Sequence, residues 1–542
     1  MLNFIFTLFF IRFKLSLCST KKNQTVMSKL YPVGIQNFDD LRNRKYIYVD
    51  KTALIYQLVS TGKYYFLSRP RRFGKSLLIS TLEAYFSGRK ELFKGLAIEQ
   101  KEKEWIKYPV LHMDLNTRNY HDRDSLIGIL NQNLETWEKL YGDEKKDRVP
   151  EERFMYIIKS AYEITGRKVV ILVDEYDKPM LQTIGNPELQ TEYRNILKAF
   201  YGALKSCDGF IHFAMLTGVT KFGKISVFSD LNNLMDISMI NRFSEICGIS
   251  EAELYMYFDD DIHTLANKLG ISYDNACKKL KMNYDGYHFS YDSPGMYNPF
   301  SLLNTFANMQ IDNYWFATGT PTYLVELMKL HNYKVEEIED IVTSGPVLDS
   351  IDSASTDPVP VIYQSGYLTL KDYNKEFENY TLGFPNREVE QGFFRFLLPN
   401  YASVSVTKSP YEIQRFVTDI RKGNVDSFLS RLQTFFDDIP YDLAPRDREV
   451  HYQNILYIVF KLMGFHTEVE YHTSRGRVDL VMKTPDYIYV MEFKLDGTAE
   501  DAMLQIENKG YASAFAADGR TVLKVGVNFS SETRTIDKWI VR

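Results

Sequence analysis

Five apolar residues in an unbroken row, Val169-Val170-Ile171-Leu172-Val173, stand between Lys168 and the acidic run Asp174-Glu175-Tyr176-Asp177. A strand with no polar alternation has both faces buried, which is the condition of a central strand in a parallel sheet covered by helices on both sides. Acids at its carboxyl end lie where open α/β sheets bind ligands. The expected architecture is therefore an α/β layer structure, and two further segments fit the same sheet: Val110–Leu115, and Ile211–Leu216 ending at Thr217-Gly218.

A fourth strand, Tyr64–Leu67, leads into Ser68-Arg69-Pro70-Arg71-Arg72-Phe73-Gly74-Lys75-Ser76 and then the helical run Leu77–Tyr85. Strand, loop and helix in that order read as a P-loop, in which Gly74 lets the backbone amides face phosphate oxygens, Lys75 reaches the outer phosphates and Ser76 reaches Mg²⁺. Arg72 joins these residues as a cofactor-binding candidate. Arg69 occupies the position where the pattern G-x-x-x-x-G-K-[ST] has its first glycine, so how closely the loop wraps the phosphates is left open. At the carboxyl end of the buried strand, Asp174 is expected to hold Mg²⁺ through water and Glu175 to polarise the attacking water. Asp177 is expected to cap the turn, and Thr217 to sense the outermost phosphate. The segment 219–234 reads as a polar switch loop in which Lys221 is an exposed lysine or a nucleotide contact.

The C-terminal region carries a different pattern. Gly476–Met482 and Tyr487–Lys494 read as strands of a hairpin turning at Lys483-Thr484-Pro485-Asp486, since Pro fixes φ and Asp bonds its own backbone. The expected register sets Met482 against Tyr487 and Asp479 against Val490. With period two, Asp479, Glu492 and Lys494 then share one face, and a one-residue slip would separate them. Two converging carboxylates suit Mg²⁺ or Mn²⁺. A bare Asp…Glu-x-Lys is also what a solvated edge strand carries, so the flanking segments decide. An apolar-periodic helix follows Asp447-Arg448-Glu449 and stops at Gly464, and Thr498-Ala499-Glu500-Asp501 opens a helix carrying Gln505 as an N-cap with an acid three residues on. The strand Thr521–Phe529 follows. The reading gives helix, three strands, helix, strand.

That order, with Glu449, Asp479, Glu492-x-Lys494 and Gln505, resembles the PD-(D/E)xK nuclease superfamily, with Val478 where the superfamily's name has Pro. The resemblance implies that Asp479 and Glu492 ligate metal, that Lys494 is the catalytic lysine, and that Glu449 and Gln505 assist at metal or phosphate. Together with Arg71–Ser76, Asp174–Asp177, Asn283–Phe289, Tyr297–Pro299, Tyr314–Pro321 and Tyr363–Leu368, the chain resembles a bacterial family joining a predicted AAA-ATPase-like domain to such a nuclease domain. The implied fold is a multidomain α/β protein: a P-loop NTPase-type parallel sheet, a helical lid and connector, and an α-β-β-β-α-β restriction-endonuclease-like domain. The expected divisions are 27–250, 251–405 and 406–542, with 343–360 as the linker or mobile-loop candidate.

The chain has 542 residues, 45% of them apolar and 25% charged, which is ordinary for a soluble globular protein. Its net charge of −5 gives no overall attraction to nucleic acid, so contacts with DNA, the expected partner, have to be local. Arg475, Arg477, Lys483, Lys494 and Lys509 are the candidates. Four scattered cysteines, Cys18, Cys207, Cys247 and Cys277, show neither pairing nor metal-ligand spacing. With no membrane-spanning run, the expected location is the cytoplasm. Residues 1–26 begin with an apolar run too short to span a bilayer and followed by Arg12 and Lys14; a misassigned start ahead of Met27 is the expected explanation. A homo-oligomer is also expected as an option, with Arg242 as a candidate arginine finger from a neighbouring subunit. Three functional classes follow: an ATP-controlled nuclease, a nucleotide-dependent interaction protein that binds nucleic acid without cutting it, and a poorly hydrolysing binding switch.

Overall fold

A computed structural model describes residues 29–542 apart from 222–226, 229–230, 232, 317–321, 340, 350–356, 403, 437–444, 472–478 and 534. The expectations for residues 1–26, half of the switch loop, Val478, Arg475 and Arg477 lie outside the described residues, as does the side chain of Glu449.

The N-terminal sheet holds β1 (Tyr64–Ser68), β2 (Val110–Asp114), β3 (Val169–Asp174), β4 (Ile211–Gly218) and β5 (Met235–Asp236) in the order β2-β3-β4-β1-β5, with every pairing parallel. The central strands β1 and β3 are buried along their whole length, as their unbroken apolar sequence requires. The edges differ: β2 alternates between buried and half-buried positions, and β5 is two residues long. A short or half-exposed edge offers little for a second chain to pair with. Amphipathic helices Arg123–Tyr141, Pro150–Thr165 and Pro187–Ser206 supply the connections, each burying one apolar stripe. Because β4 lies between β1 and β3, Thr217 is placed beside the acids that end β3.

The middle of the chain is less helical than the sequence suggests. β6 (Ile249–Ser250) pairs antiparallel with β7 (Met296–Tyr297). Between them Glu251–Leu269 starts at a capping box formed by Ser250 and Glu253, and it packs with Tyr273–Tyr284 and Pro299–Asn308 around a separate small core of Leu254, Phe258, Ile262 and Leu280. An antiparallel sheet follows, β8 (Ile341–Ser344), β9 (Thr369–Asn374) and β10 (Asn379–Gly383), in the order β8-β10-β9. The expected linker over 343–360 is corrected on its described part: Thr343 and Ser344 lie in β8, and Gly345–Asp349 forms a helix. Val359–Gln364 forms a further helix, and residues 350–356 lie outside the described residues.

The C-terminal unit contains the helix Pro445–Gly464, then β11 (Glu468–Tyr471), β12 (Leu480–Lys483) and β13 (Tyr487–Leu495), the helix Ala499–Asn508, β14 (Thr521–Ser530) and β15 (Thr535–Val541). The order is β11-β12-β13-β14-β15, with β13 and β14 parallel and the other pairs antiparallel. A parallel neighbour needs a crossover, which Ala499–Asn508 provides. Its N-cap is the one the sequence predicts, Thr498 accepting from the Asp501 N–H at 3.0 Å. β15 was not foreseen; its Lys538 and Asp537 interrupt the apolar pattern.

Candidate functional sites

The helix after β1 runs from Lys75 to Phe86, so Lys75 and Ser76 are its first residues and not the end of a loop. Gly74 precedes it with φ +94°, and Arg72 has φ +68°. Left-handed conformations suit glycine and strain an arginine. Together they turn the chain back so that the helix's first amides, which have no partner within the helix, open toward a cavity of about 350 Å³. Arg71, Arg72, Gly74, Lys75, Ser76, Asn116, Glu175 and Lys178 line its polar side, and Pro32, Val33, Ile35, Phe300 and Leu303 its apolar side. The Arg72 guanidinium lies 4.9 Å from the centroid of the Phe300 ring.

The structure answers the question raised by Arg69. Its side chain, only 1% exposed, turns away from the cavity, donates to the carbonyls of Ser68 (3.0 Å), Ser238 (2.7 Å) and Phe243 (3.2 Å), and lies 4.0 Å from the Phe289 ring centroid. The bulk that replaces glycine is stored behind the loop.

Lys75 Nζ donates to the Arg69 carbonyl at 3.1 Å and lies 3.3 Å from Glu175 Oε1. Glu175 itself has φ +55°, which aims its carboxylate into the cavity from the end of β3. The buried Asp174 accepts from Thr217 Oγ1 at 2.5 Å and from the Glu175 N–H at 3.1 Å. Thr217, expected to sense the outermost phosphate, donates its hydroxyl to Asp174 and does not line the cavity. Asp177 ties its turn to the strand leaving β4, accepting from Val219 N (3.2 Å), Thr220 N (2.6 Å) and Thr220 Oγ1 (2.7 Å). Burial, and secondly the nearby Glu175, push its pKa up to about 6.

Lys221 is neither exposed nor at the cavity. It is buried, paired with Asp236 at 2.9 Å and with Asp349 of the connector, while its N–H donates to Gln364 Oε1 at 2.5 Å. Its partner Asp349 lies 128 residues away, which is why no local reading of the sequence finds the pair.

In the C-terminal sheet the hairpin register differs from expectation by two residues. Met482 faces Tyr489 and Leu480 faces Met491, which sets Asp479, just ahead of β12, across from Glu492. The turn is Thr484–Tyr487: the Thr484 N–H donates to the Tyr487 carbonyl at 2.8 Å, and Thr484 Oγ1 accepts from the Tyr487 N–H at 3.0 Å. The threonine hydroxyl thus closes the turn one residue later than Pro485 and Asp486 alone suggest. A shift of two keeps every side chain on its face, so the expected grouping survives and tightens.

Asp479 Oδ2 accepts from the Phe493 N–H at 2.8 Å. Glu492, with a side chain 2% exposed, accepts at Oε1 from Lys494 Nζ at 3.1 Å and from Gln505 Nε2. Gln505 Oε1 in turn accepts from Lys494 Nζ at 2.6 Å. The crossover helix therefore holds both the glutamate and the lysine. Glu492 Oε2 is buried without a hydrogen-bond partner. Burial raises the pKa of both carboxyls, and for Glu492 the charge of Asp479 adds to it. Two carboxylates crowded out of water, one with a bare oxygen, fit a divalent cation. Among the described residues no group of three or more His, Cys, Asp or Glu gathers, but Mg²⁺ is commonly held by one or two carboxylates with its own waters. Of the proposed nucleic-acid contacts, Lys483 is occupied, lying 3.1 Å from Glu470 and 3.7 Å from Glu468. Lys509 is exposed at the end of the crossover helix.

A family model described as a predicted AAA-ATPase matches residues 32–228, and one described as the PD-(D/E)XK nuclease superfamily matches residues 447–539. The chain is 34% identical over 523 residues to the "Uncharacterized protein in vnfD 5'region" of Azotobacter chroococcum mcd 1, covering 95% of this chain and 99% of that protein. Among solved structures, the Aeropyrum pernix ORC2 protein (ADPNP-ADP complexes) aligns at 10% identity over 67% of this chain and 92% of its own, with a TM-score of 0.22, too low to support a shared fold. No helix among the described residues is long and apolar enough to cross a membrane.

Proposed function

The chain belongs to the family that joins a predicted AAA-ATPase to a PD-(D/E)XK nuclease superfamily domain, and from that premise we propose that it is a metal-dependent nuclease whose cutting is controlled by ATP bound in the N-terminal cavity. The observation that carries the nuclease half is the pairing of Asp479 with Glu492 across the hairpin, with Glu492 Oε2 buried and partnerless. Asp479 and Glu492 are the residues that would hold Mg²⁺ or Mn²⁺. A divalent ion there supplies positive charge to a scissile phosphate and acidifies bound water.

The chain's own groups do the rest. The Phe493 amide fixes the Asp479 carboxylate, and Gln505 fixes Glu492 and Lys494 relative to each other. Lys494, whose ammonium is held by Glu492 and Gln505 with 29% of the side chain exposed, offsets charge developing on a phosphate oxygen. Glu449, from the helix Pro445–Gly464, stays a candidate assistant. In the N-terminal cavity Arg72, Gly74, Lys75 and Ser76 bind the nucleotide's phosphates; Ser76 and Asp174 would hold its Mg²⁺, and Glu175 orients water.

Control is supported by how the connector grips the phosphate loop. The Trp315 indole N–H donates to the Arg71 carbonyl at 3.1 Å, and the Phe73 ring sits edge-on to Tyr287 and Phe289 at 4.7 and 5.3 Å. The Trp315 amide in turn donates to Glu388 Oε1 at 2.8 Å, and Glu388 opens the helix Arg387–Tyr401, whose Phe394 packs on Tyr457 of the helix Pro445–Gly464 at 5.8 Å. A shift of the phosphate loop on nucleotide binding has a packed route to the nuclease unit. The divisions 27–250, 251–405 and 406–542 belong to the same proposal, as do DNA as the substrate and the cytoplasm as the location.

The test uses the purified full chain with labelled DNA and RNA, Mg²⁺ or Mn²⁺, and ATP. Cleavage that needs metal, disappears in Asp479→Asn and loses only its ATP dependence in Lys75→Ala is expected. Equal cleavage by wild type and Asp479→Asn would refute the nuclease assignment and favour a nucleic-acid-binding switch.

A further inference from the structure

Lys178 stands four residues after Asp174 and lines the same cavity as Lys75 and Glu175. Its position is fixed from both sides: Asp177 before it is clamped to Val219 and Thr220, and Pro179 after it is buried. Arg71 lines the same cavity, and its charge acts on Lys178. Among the described residues no carboxylate lies within ion-pair distance of either cation. Lys75 is different, since Glu175 and the Arg69 carbonyl already hold its ammonium.

Burial, and secondly the charge of Arg71, push the Lys178 pKa down, while Glu175, Asp177 and Asp114 pull the other way more weakly. Two cations turned toward one half-buried cleft repel each other unless an anion lies between them, and the cleft sets Arg71, Arg72, Lys75 and Lys178 against the single carboxylate of Glu175, an excess of positive charge that concentrates anionic ligands. The cavity is therefore built for more negative charge than Lys75 alone would neutralise. Lys178 shares a turn with Glu175, the residue placed to orient water, so it stands at the reacting end of the polyphosphate.

We infer that Lys178 ligates the outermost phosphate of the bound nucleoside triphosphate from within the same chain and stabilises the charge that develops there during hydrolysis. The inference rests on the reading of this cavity as an ATP site. It removes the need for an arginine from a neighbouring subunit. Arg242, the sequence candidate for that role, is exposed with its guanidinium 4.5 Å from the ring centroid of Phe243.

The experiment compares wild type, Lys178→Met, Lys178→Arg and Lys75→Ala as purified full chains. Binding of fluorescent ADP, binding of ADP with aluminium fluoride as a mimic of the phosphoryl-transfer state, and kcat and KM for Mg²⁺-ATP are measured. Lys178→Met keeps the apolar stem, and its melting temperature reports folding. The expected result is ADP affinity within about twofold of wild type, a kcat lower by about 10²–10³, loss of the tight aluminium fluoride complex, and partial recovery in Lys178→Arg. Wild-type kcat in Lys178→Met overturns the inference. So does a loss of ADP affinity equal to the loss of kcat in a folded variant, which would make Lys178 a ground-state binding residue only. Wild type that binds nucleotide no better than Lys75→Ala would sink the ATP-site reading itself, and this inference with it, as a distinguishable result.

Discussion

The residues that carry chemistry at both ends of the chain are held by neighbours whose roles are easily overlooked. Gln505 is the clearest example, because its amide bonds Glu492 with one end and Lys494 with the other. Replacing Gln505 by Ala removes both bonds while leaving the carboxylates in place. Groups that orient a ligand in this way contribute about 10–100-fold to metal affinity or activity. The expected outcome is a loss of that size in Mn²⁺ affinity, measured by calorimetry, with an unchanged melting temperature in the absence of metal. At this scale the sequence was readable wherever spacing alone brings residues together: Gly74, Lys75 and Ser76 on one cavity with Glu175, and Asp479 beside Glu492 and Lys494. Arg69, Thr217 and Lys221 were not readable, since each is explained by a partner from a distant segment: Phe289 for Arg69, Asp174 for Thr217, Asp349 for Lys221.

Among the elements, the hairpin shows why an inexact register can still predict a site. The Thr484 hydroxyl, invisible to a reading based on Pro485 and Asp486, moves the pairing by two residues, and period-two alternation leaves the faces unchanged. The buried strands were legible because β1 and β3 run apolar up to a single polar residue at the carboxyl end, Ser68 and Asp174. The antiparallel sheet β8-β10-β9 was hidden, because Thr369–Asn374 and Asn379–Gly383 mix Asp, Asn and Lys with few apolar positions. This sheet region is locked to the ATPase sheet by Lys221 between Asp236 of β5 and Asp349. Removing one partner of a buried pair typically costs about 3–5 kcal/mol, because the other charge is left without compensation. Asp349 is 47% exposed and can rehydrate, so Lys221→Met is expected at the lower end, near about 3 kcal/mol, read from the urea unfolding midpoint. An unchanged midpoint would show that the connector is not held by this pair.

Over the whole molecule the connector joins two chemistries, and Glu388 sits at its centre. The carboxyl is 1% exposed, and its partners are Ser301 Oγ at 2.8 and 3.0 Å and the Trp315 amide. Burial raises its pKa from the ordinary 4.5 to about 7, with Asp312 adding a smaller push in the same direction. Between those two values the folded chain therefore binds more protons at this site than the unfolded chain does. The contribution of Glu388 to stability falls as pH rises from 4.5 toward about 7 and is flat above. Urea midpoints across that window are expected to decline in wild type more steeply than in Glu388→Gln; identical slopes would remove Glu388 as the cause. The two end units were legible from sequence because each concentrates its chemistry in a short motif. The joint was not, since its contacts are spread over Trp315, Gln364 and Glu388. Whether the cut belongs to the C-terminal unit is decided most directly by soaking crystals of the full chain in Mn²⁺ and recording anomalous scattering. A peak coordinated by Asp479 and Glu492 Oε2, absent from Asp479→Asn, is expected; a wild-type map with no peak between those carboxylates would rule out a metal site there.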